Sequence, residues 1–225
     1  MELPVVMNKE RRNNMKNQFL SKVFTWFGIG LFLTFLTAYL TSTSIDALRF
    51  IFSGSTYSII FILEIVIAIW LGARIHKMSE STAKILYLGY TVLTGLTLSG
   101  IFVAYEITSI IWIFLASSLT FGIFAFLGKS DKFDLSGYGI YLIIALLASL
   151  VLELINMFLM NNTLDMILCV VVLAIFTIYV AYDVQKLIKR GYTTEQMAIY
   201  GAFDLYLDFI NIFLRLLQLF GKERN

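Results

Sequence analysis

The sequence has one proline, one cysteine and one histidine, and its charged residues are scarce. Asp, Glu, Lys and Arg make up 14% of the 225 residues, whereas roughly 25% is usual in soluble domains. A chain of this length has too few charged residues to form a water-exposed surface, which excludes an ordinary soluble domain. The lone Cys169 excludes an internal disulfide and a thiolate metal cluster. Pro4 precedes every apolar segment, so proline interrupts none of them.

The same scarcity excludes several classes of enzyme. His76 falls in a polar loop, so no apolar segment supplies a histidine for an intramembrane serine protease or a histidine metal site. The phosphate-binding pattern G-x-x-x-x-G-K-[ST] is absent. Tyr182 and Asp183 loosely fit an intramembrane aspartyl protease, but Asp204 and Asp208 lack the G-x-G-D pattern of that class. We therefore expect a protein that is not an enzyme, needs no cofactor and binds no nucleic acid.

Long apolar runs dominate what is present. Apolar residues make up 59% of the chain, and the mean hydropathy is +0.84. Seven runs approach the roughly 20 residues that a membrane-spanning helix needs; they cover about 23–41, 57–73, 84–104, 107–127, 138–160, 164–185 and 198–220. This pattern predicts an all-α polytopic membrane protein, with one transmembrane domain over 23–221 after a basic segment, 1–22. Only Tyr105 and Glu106 separate the third and fourth runs, which predicts a tight hairpin.

Lysine and arginine near the ends of the runs indicate the orientation. With seven spans, thirteen of them share one side of the membrane: Lys9, Arg11, Arg12, Lys16, Lys22, Arg74, Lys77, Lys84, Lys129, Lys132, Lys186, Lys189 and Arg190. The other side has Arg49, Lys222 and Arg224. The bias predicts a multi-pass protein of the plasma membrane with a cytosolic N-terminus. Six spans plus a re-entrant last segment is the alternative, and it would place the C-terminus inside.

Charged residues inside the runs are costly and usually functional; they are Glu64, Glu153, Asp183, Asp204, Asp208 and Arg215. In the last run, polar residues are spaced by 4, 3, 4 and 3 positions: Asp204, Asp208, Asn211, Arg215 and Gln218. This spacing places them on one face of a helix. Because lipid cannot solvate such a face, the last helix is expected to be central and to line an ion pathway. A purely structural polar seam is the alternative.

Asp183 and Asp208 lie on consecutive antiparallel helices and are expected to meet. Two carboxylates in one dry site cannot both ionise easily, so the pair could share a proton and sense pH. When both are charged, they could bind a divalent cation such as Ca²⁺. Alternatively, each aspartate pairs separately with Arg74, Arg215 or a cytosolic lysine.

Small residues predict where helices approach closely. In the third run, Gly95 and Ser99 accompany a weaker polar seam of tyrosines and threonines and allow a neighbouring helix to approach closely. In the fourth run, Ser118 and Gly122 allow a close approach in the same way. Most of these residues are expected to serve packing between helices.

Several segments together resemble the Bax inhibitor-1 family of transmembrane Bax inhibitor motif proteins. They are Gly95-Leu-Thr-Leu-Ser99 with Ile101-Phe102, Phe121-Gly122, Gly128-Lys-Ser-Asp-Lys-Phe-Asp-Leu-Ser136, Ala181-Tyr182-Asp183-Val-Gln185, and Leu205-Tyr-Leu-Asp208-Phe-Ile-Asn211. The resemblance extends from about residue 20 to 221, which is nearly the whole chain.

The resemblance implies a seven-helix fold with the last helix in the centre. It also implies a pH-sensitive calcium leak gated by Asp183 and Asp208, with Ca²⁺ and protons as its ligands. Arg74 corresponds to an arginine that latches onto the aspartate pair, and Glu64 resembles an acidic residue on the ion path. Other relatives regulate cell death or membrane proteases. The alternative function is therefore a non-channel regulator that binds and restrains another membrane protein.

The charge bias makes a direct prediction about topology. A reporter fused after Asn225 should be active only on the external side of the membrane, because the cytosolic side retains the basic loops. The same reporter fused before Met1 serves as the control and should be active only in the cytosol. Cytosolic activity of the C-terminal fusion would exclude the seven-span arrangement.

Overall fold

The computed structural model describes residues 9–130, 133–191 and 193–224, which form a bundle of α-helices. Within these residues, seven helical segments are long and apolar enough to cross a membrane. The helices are α1 (Lys9–Ser42), α2 (Ile45–Phe52), α3 (Thr56–Arg74), α4 (Glu80–Leu98), α5 (Ile101–Ala104), α6 (Ile107–Gly128), α7 (Gly139–Leu159), α8 (Asn162–Arg190) and α9 (Glu195–Phe220). The short helices α2 and α5 flank the spans, and the predicted all-α fold class is confirmed.

The seven predicted runs coincide closely with α1, α3, α4 with α5, α6, α7, α8 and α9. The tight hairpin is confirmed, because α5 ends at Ala104 and α6 begins at Ile107. Helix α1 continues without a break through the predicted boundary at residue 22. Residues 1–8, Lys132 and the side chain of His76 lie outside the described part of the chain. The structure therefore does not test the predictions that involve them.

Local sequence signals explain where several helices begin and end. The side chains of Ser44, Ser79 and Asn161 accept hydrogen bonds from the first-turn amides of α2, α4 and α8, satisfying donors that a helix leaves free at its N-terminus. After α8, Gly191 adopts a left-handed conformation with φ of 63°, which glycine tolerates without a steric cost. The chain therefore reverses within a few residues, and α8 and α9 become antiparallel neighbours.

Helix α9 lies at the centre of the bundle. It packs against α1, α4, α6 and α8, and it is by far the most buried of the seven spans. Its fully buried side chains include Phe203, Tyr206 and Phe209. Lipid tails are as apolar as these side chains, so close van der Waals packing rather than the hydrophobic effect holds such helices together. The outer helices α3 and α7 are the least buried.

The C-terminal residues dock against the hairpin between α5 and α6. The Glu106 amide donates to the carbonyl of Lys222 (3.0 Å), and the Arg224 amide donates to the carbonyl of Ala104 (2.8 Å). The side chains of Lys222 and Glu106 also form an ion pair (2.6 Å). Helix α9 is continuous over 26 residues, about 39 Å at 1.5 Å per residue. A continuous helix of this length favours seven spans over a re-entrant last segment.

Glycines mark some of the close approaches between helices. A Cβ atom at Gly95 would lie 2.8 Å from the carbonyl oxygen of Thr34 on α1, as expected for a close approach. At Gly128, a Cβ atom would lie 2.3 Å from the carbonyl oxygen of Ala181 on α8. The prediction for Gly122 is wrong, because nothing lies within 4 Å of a Cβ atom built there. The face of α6 that carries Gly122 is open.

These glycines give a matched pair of substitutions in α6. Gly128→Ala should destabilise the protein by about 1–3 kcal/mol, because the added methyl group overlaps the backbone of α8. Gly122→Ala should be neutral or slightly stabilising, because the site is open and alanine favours helix. Thermal unfolding of the two purified variants in detergent would compare them. Equal stability of the two variants would contradict the assigned close contact at Gly128.

Candidate functional site

The antiparallel arrangement of α8 and α9 brings Asp183, Asp204 and Asp208 to one place in the bundle. At 1.5 Å per residue, Asp183 lies about 10 Å from the end of α8, while Asp204 and Asp208 lie about 14 and 20 Å from the start of α9. Helical side chains lean towards the N-terminus of their own helix. Asp183 therefore leans deeper into the membrane and Asp208 leans back, so that their carboxylates converge.

Lys186 bridges two of the three aspartates. Its ammonium group lies 3.1 Å from Oδ1 of Asp183 and 3.1 Å from Oδ2 of Asp204. The side chains are largely buried, with exposures of 18% for Lys186, 8% for Asp183 and 17% for Asp204. Charge-assisted hydrogen bonds of this kind are stronger than neutral ones. Lys186 thus ties α8 to α9 at the level of the aspartates.

Asp208 is the least satisfied member of this group, which we call the aspartate cluster (Asp183, Asp204, Asp208 and Lys186). Asp208 is 4% exposed, and among the described residues its Oδ2 atom has no hydrogen-bond partner. Its carboxyl group is close enough to Asp183 and Asp204 to interact with them electrostatically. Three carboxylates face one ammonium group, so the cluster favours a proton or an additional cation when all of its carboxylates ionise.

Aromatic rings and a second cation surround the cluster. The Lys186 ammonium lies 5.9 Å from the ring centre of Tyr182 and 5.4 Å from that of Tyr200, within cation–π range. Arg190 is near enough to act electrostatically on Asp183 and Asp204. The two rings thus help to position Lys186, while Arg190 adds positive charge near the two aspartates that Lys186 bridges.

The structure does not bring Arg74 to the aspartates. The Arg74 side chain is exposed at the end of α3, and no ion pair of Arg74 is found within the described residues. Lys186 occupies the place beside the carboxylates that the resemblance implied for Arg74. Pairing of the aspartates with a lysine from the cytosolic side is one of the alternatives that the sequence allows, and Lys186 is such a lysine. A gating role for Arg74 stays a prediction.

The polar stripe of α9 continues into a second group of contacts. Arg215 forms an ion pair with Glu153 of α7 (2.6 Å) and donates to Gln218 (3.2 Å). Gln218 in turn donates to Asp165 at the start of α8 (2.8 Å). Asn211 donates to the carbonyl of Leu207 within its own helix (2.8 Å). Arg215 is therefore engaged by α7, not by the aspartates.

Glu64 lies apart from both groups. It is half-buried on α3, and its carboxylate accepts a hydrogen bond from Thr97 of α4 (3.1 Å). No direct contact joins Glu64 to the three aspartates in the described part of the chain. The structure thus brings Asp183, Asp204 and Asp208 together but leaves Glu64 and Arg74 outside.

The loop between α6 and α7 is held by residues that follow Asp183 on α8. Gln185 donates to the carbonyl of Phe133 (2.6 Å) and accepts from the amide of Leu135 (2.7 Å). Lys189 forms an ion pair with Asp134 (2.5 Å). Hydrogen bonds from Lys189 and from Ser136 hold the pKa of the Asp134 carboxyl well below its usual range. This loop is thereby fixed next to the aspartate cluster.

No group of three or more His, Cys, Asp or Glu side chains that could hold a metal ion is found in the described residues. Ca²⁺ takes six to eight oxygen ligands, so three carboxylates, two of them tied to Lys186, cannot form a closed calcium site. They can offer a passing cation a weak, transient contact. Asp183 and Asp208 as calcium ligands therefore stay a prediction.

Sequence reasoning did not single out Lys186 and missed the partner of Arg215. Lys186 was only one of the cytosolic lysines that could pair with an aspartate, although it lies three residues after Asp183 and therefore on the same helix face. Glu153 had been recognised as an intramembrane charge but had no assigned partner. A search for oppositely charged residues among all intramembrane positions could have paired Glu153 with Arg215.

Comparison with known proteins defines the class of protein. Residues 16–225 match the family model described as "Inhibitor of apoptosis-promoting Bax1". The chain belongs to this Bax inhibitor-like family of membrane proteins.

The relatives are bacterial proteins of similar length. The chain is 34% identical to "Inner membrane protein YbhL" of Escherichia coli K12, over 92% of each chain. It is 35% identical to an uncharacterized protein of Borreliella burgdorferi, over 94% of each chain. A third relative, from Deinococcus radiodurans, is 31% identical over 98% of this chain and 97% of its own.

The bridging position of Lys186 leads to a prediction about stability. Lys186→Met should destabilise the protein by about 3–5 kcal/mol, because it leaves buried carboxylates without a counter-charge. Adding Asp204→Asn should recover part of the loss by removing one of those charges. The measurement is thermal unfolding in detergent at neutral pH.

The matched control is Lys189→Met on the same helix. Its partner Asp134 is 75% exposed, and exposed ion pairs contribute little, so this variant should unfold at nearly the wild-type temperature. If Lys186→Met and Lys189→Met behave alike, Lys186 does not bridge the aspartates in the folded protein.

Proposed function

We propose that the protein is a pH-sensitive leak pathway for cations, chiefly Ca²⁺, across the bacterial inner membrane. The observation that carries the proposal is the aspartate cluster, in which three largely buried carboxylates face the ammonium group of Lys186, with Arg190 as the other cation near them. Burying uncompensated charge is expensive, so such a group is hard to explain as packing alone. The Escherichia coli relative is named an inner membrane protein, which supports the choice of the inner membrane.

Protons and Ca²⁺ compete for the cluster in this proposal. When a proton is shared between Asp183 and Asp208, their repulsion is relieved and α8 and α9 stay in contact. When the proton leaves, the contact between the helices must change or capture a cation. Carboxylate oxygens are the ligands that Ca²⁺ prefers. Lys186 holds Asp183 and Asp204 together, which leaves Asp208 as the carboxylate most available to a proton or an ion.

Other residues of the expected pathway have subordinate parts. Asp204, Asn211 and Arg215 continue the polar stripe of α9 on either side of Asp208, and Glu64 adds a carboxylate on α3. Arg74 is proposed as a second cation that can reach the cluster when α3 moves. A regulator that restrains another membrane protein is the rival function, and it would need no passage for ions.

The proposal predicts the behaviour of two single substitutions. Asp183→Asn and Asp208→Asn should each flatten the pH dependence of Ca²⁺ flux, because each removes one member of the pair that shares the proton. The flux is measured in liposomes loaded with a Ca²⁺-sensitive dye, over a range of external pH. Asp46→Asn, at an exposed aspartate on α2, is the control and should keep the wild-type profile. Wild-type pH profiles in both Asp183→Asn and Asp208→Asn would eliminate the two-carboxylate sensor.

A further inference from the structure

A cleft open to the surrounding lipid runs between α1 and α6, away from the aspartate cluster's polar contacts. It has two adjoining compartments of about 520 and 560 Å³, and Leu31 and Phe209 line both of them. Because Phe209 belongs to α9 and is buried, the cleft reaches inward as far as the packed surface of the central helix. The two compartments follow the long axes of α1 and α6, from one side of the membrane towards the other.

A regularly spaced stripe of each wall helix lines this cleft, together with residues on either side of it. Among the lining positions of α1, six are spaced by 4, 3, 4, 3 and 4 residues: Asn17, Ser21, Phe24, Gly28, Leu31 and Phe35. Among those of α6 and the residue that follows it, six have the same spacing: Ile111, Leu115, Ser118, Gly122, Ala125 and Lys129. Such spacing keeps side chains on a single helix face, so each stripe runs along the cleft.

Glycine keeps both walls flat. Nothing lies within 4 Å of a Cβ atom built at Gly28 or at Gly122. These residues therefore do not serve close packing between helices. They leave open space instead, and Gly28 borders one compartment while Gly122 borders the other.

The floor of the cleft is aromatic, and the cleft is narrow. Phe27 of α1 stacks on Phe121 of α6 with ring centres 4.8 Å apart. Phe209 packs edge-on against both rings, with centres 5.7 Å away. A transmembrane helix is about 10–12 Å across with its side chains, so a cleft whose walls meet in this way cannot admit one. A single hydrocarbon chain can lie in it.

Polar groups gather at one end of the cleft. Asn17, Ser21 and Lys129 line the compartment nearer the N-terminal end of α1, while the other compartment is almost entirely apolar in its lining. Lys129 is exposed, and no ion pair of Lys129 is found in the described part of the chain. From Lys129 to Ser118 the distance along α6 is about 16 Å, which is roughly half of a 30 Å hydrocarbon core.

We propose that the cleft binds an anionic phospholipid from the membrane leaflet on the N-terminal side. Its phosphate lies at Lys129, with Asn17 and Ser21 as hydrogen-bonding neighbours, and an acyl chain extends along Gly122 to Phe209. A lysine at the membrane surface attracts anionic headgroups, and one leaflet's depth matches the distance from Lys129 to the middle of the cleft.

The bound chain also touches the helices that carry the aspartate cluster. Val184 and Phe209 line the cleft, and they directly follow Asp183 and Asp208 in the sequence. Both side chains are buried, so the acyl chain lies against the packed residues beside the aspartate cluster and does not reach the cluster itself. The binding site itself does not depend on whether the protein conducts ions.

Native mass spectrometry tests the site with protein taken from vesicles of equal parts phosphatidylglycerol and phosphatidylcholine. The wild type should retain phosphatidylglycerol several-fold more often than phosphatidylcholine. Gly122→Leu should lose most of the retained lipid, because leucine fills the cleft. Gly89→Leu, at an equally open and exposed site on α4, should retain it. Lys129→Gln should keep lipid but lose the preference for phosphatidylglycerol.

A labelling experiment on the unchanged protein covers the case in which Gly122→Leu fails to fold. Phosphatidylglycerol with a photoreactive acyl chain should label Phe24, Leu31 or Ser118, which line the cleft and are not buried, more strongly than the outward-facing Leu119. Equal labelling of all these residues would refute the site, and so would equal lipid retention by the wild type and Gly122→Leu. A mass spectrum that shows a bound polypeptide in place of lipid would also refute it.

Discussion

The bilayer's inability to solvate polar groups is the constraint on which this structure depends. Helix α9 carries Asp204, Asp208, Asn211 and Arg215 along one side, so it cannot face lipid. The other spans therefore surround it, and α7 and α8 supply charges that oppose those of α9. Lys186 of α8 bridges Asp204 to Asp183, and Glu153 of α7 pairs with Arg215. The central position of α9 and the ion pairs of its charged residues both follow because lipid cannot solvate these side chains.

The spans and the central helix could be predicted from the sequence because they follow from periodicity and from the length of apolar runs. Close approaches at Gly95 and at the hairpin before Ile107 were also predictable. The openness at Gly122 was not, because a small residue permits close packing without requiring it. Helix α1, across the cleft, also carries a glycine with open space around it, Gly28. The two helices therefore leave a cleft beside Gly122, where close packing was expected.

The candidate site could be predicted only in part. The convergence of Asp183 and Asp208 follows from two antiparallel helices joined by a short turn. The bridge by Lys186 depends on side-chain geometry that hydropathy cannot show, and a lysine near a helix end is usually taken as a solvated topology signal. Arg74 was named from a resemblance, and in this structure its side chain is exposed. A cluster closed by Lys186 from within α8 needs no latch from α3 to hold this conformation.

The central claim is that the aspartate cluster controls the passage of cations, and the most direct test is Ca²⁺ flux into liposomes that contain only this protein. The account predicts a flux above that of empty liposomes, with a rate that changes as the pH is varied across the range in which a shared carboxylate proton is lost. Flux equal to that of empty liposomes at every pH, with the protein correctly inserted, would contradict it and would favour a regulator without a conducting pathway.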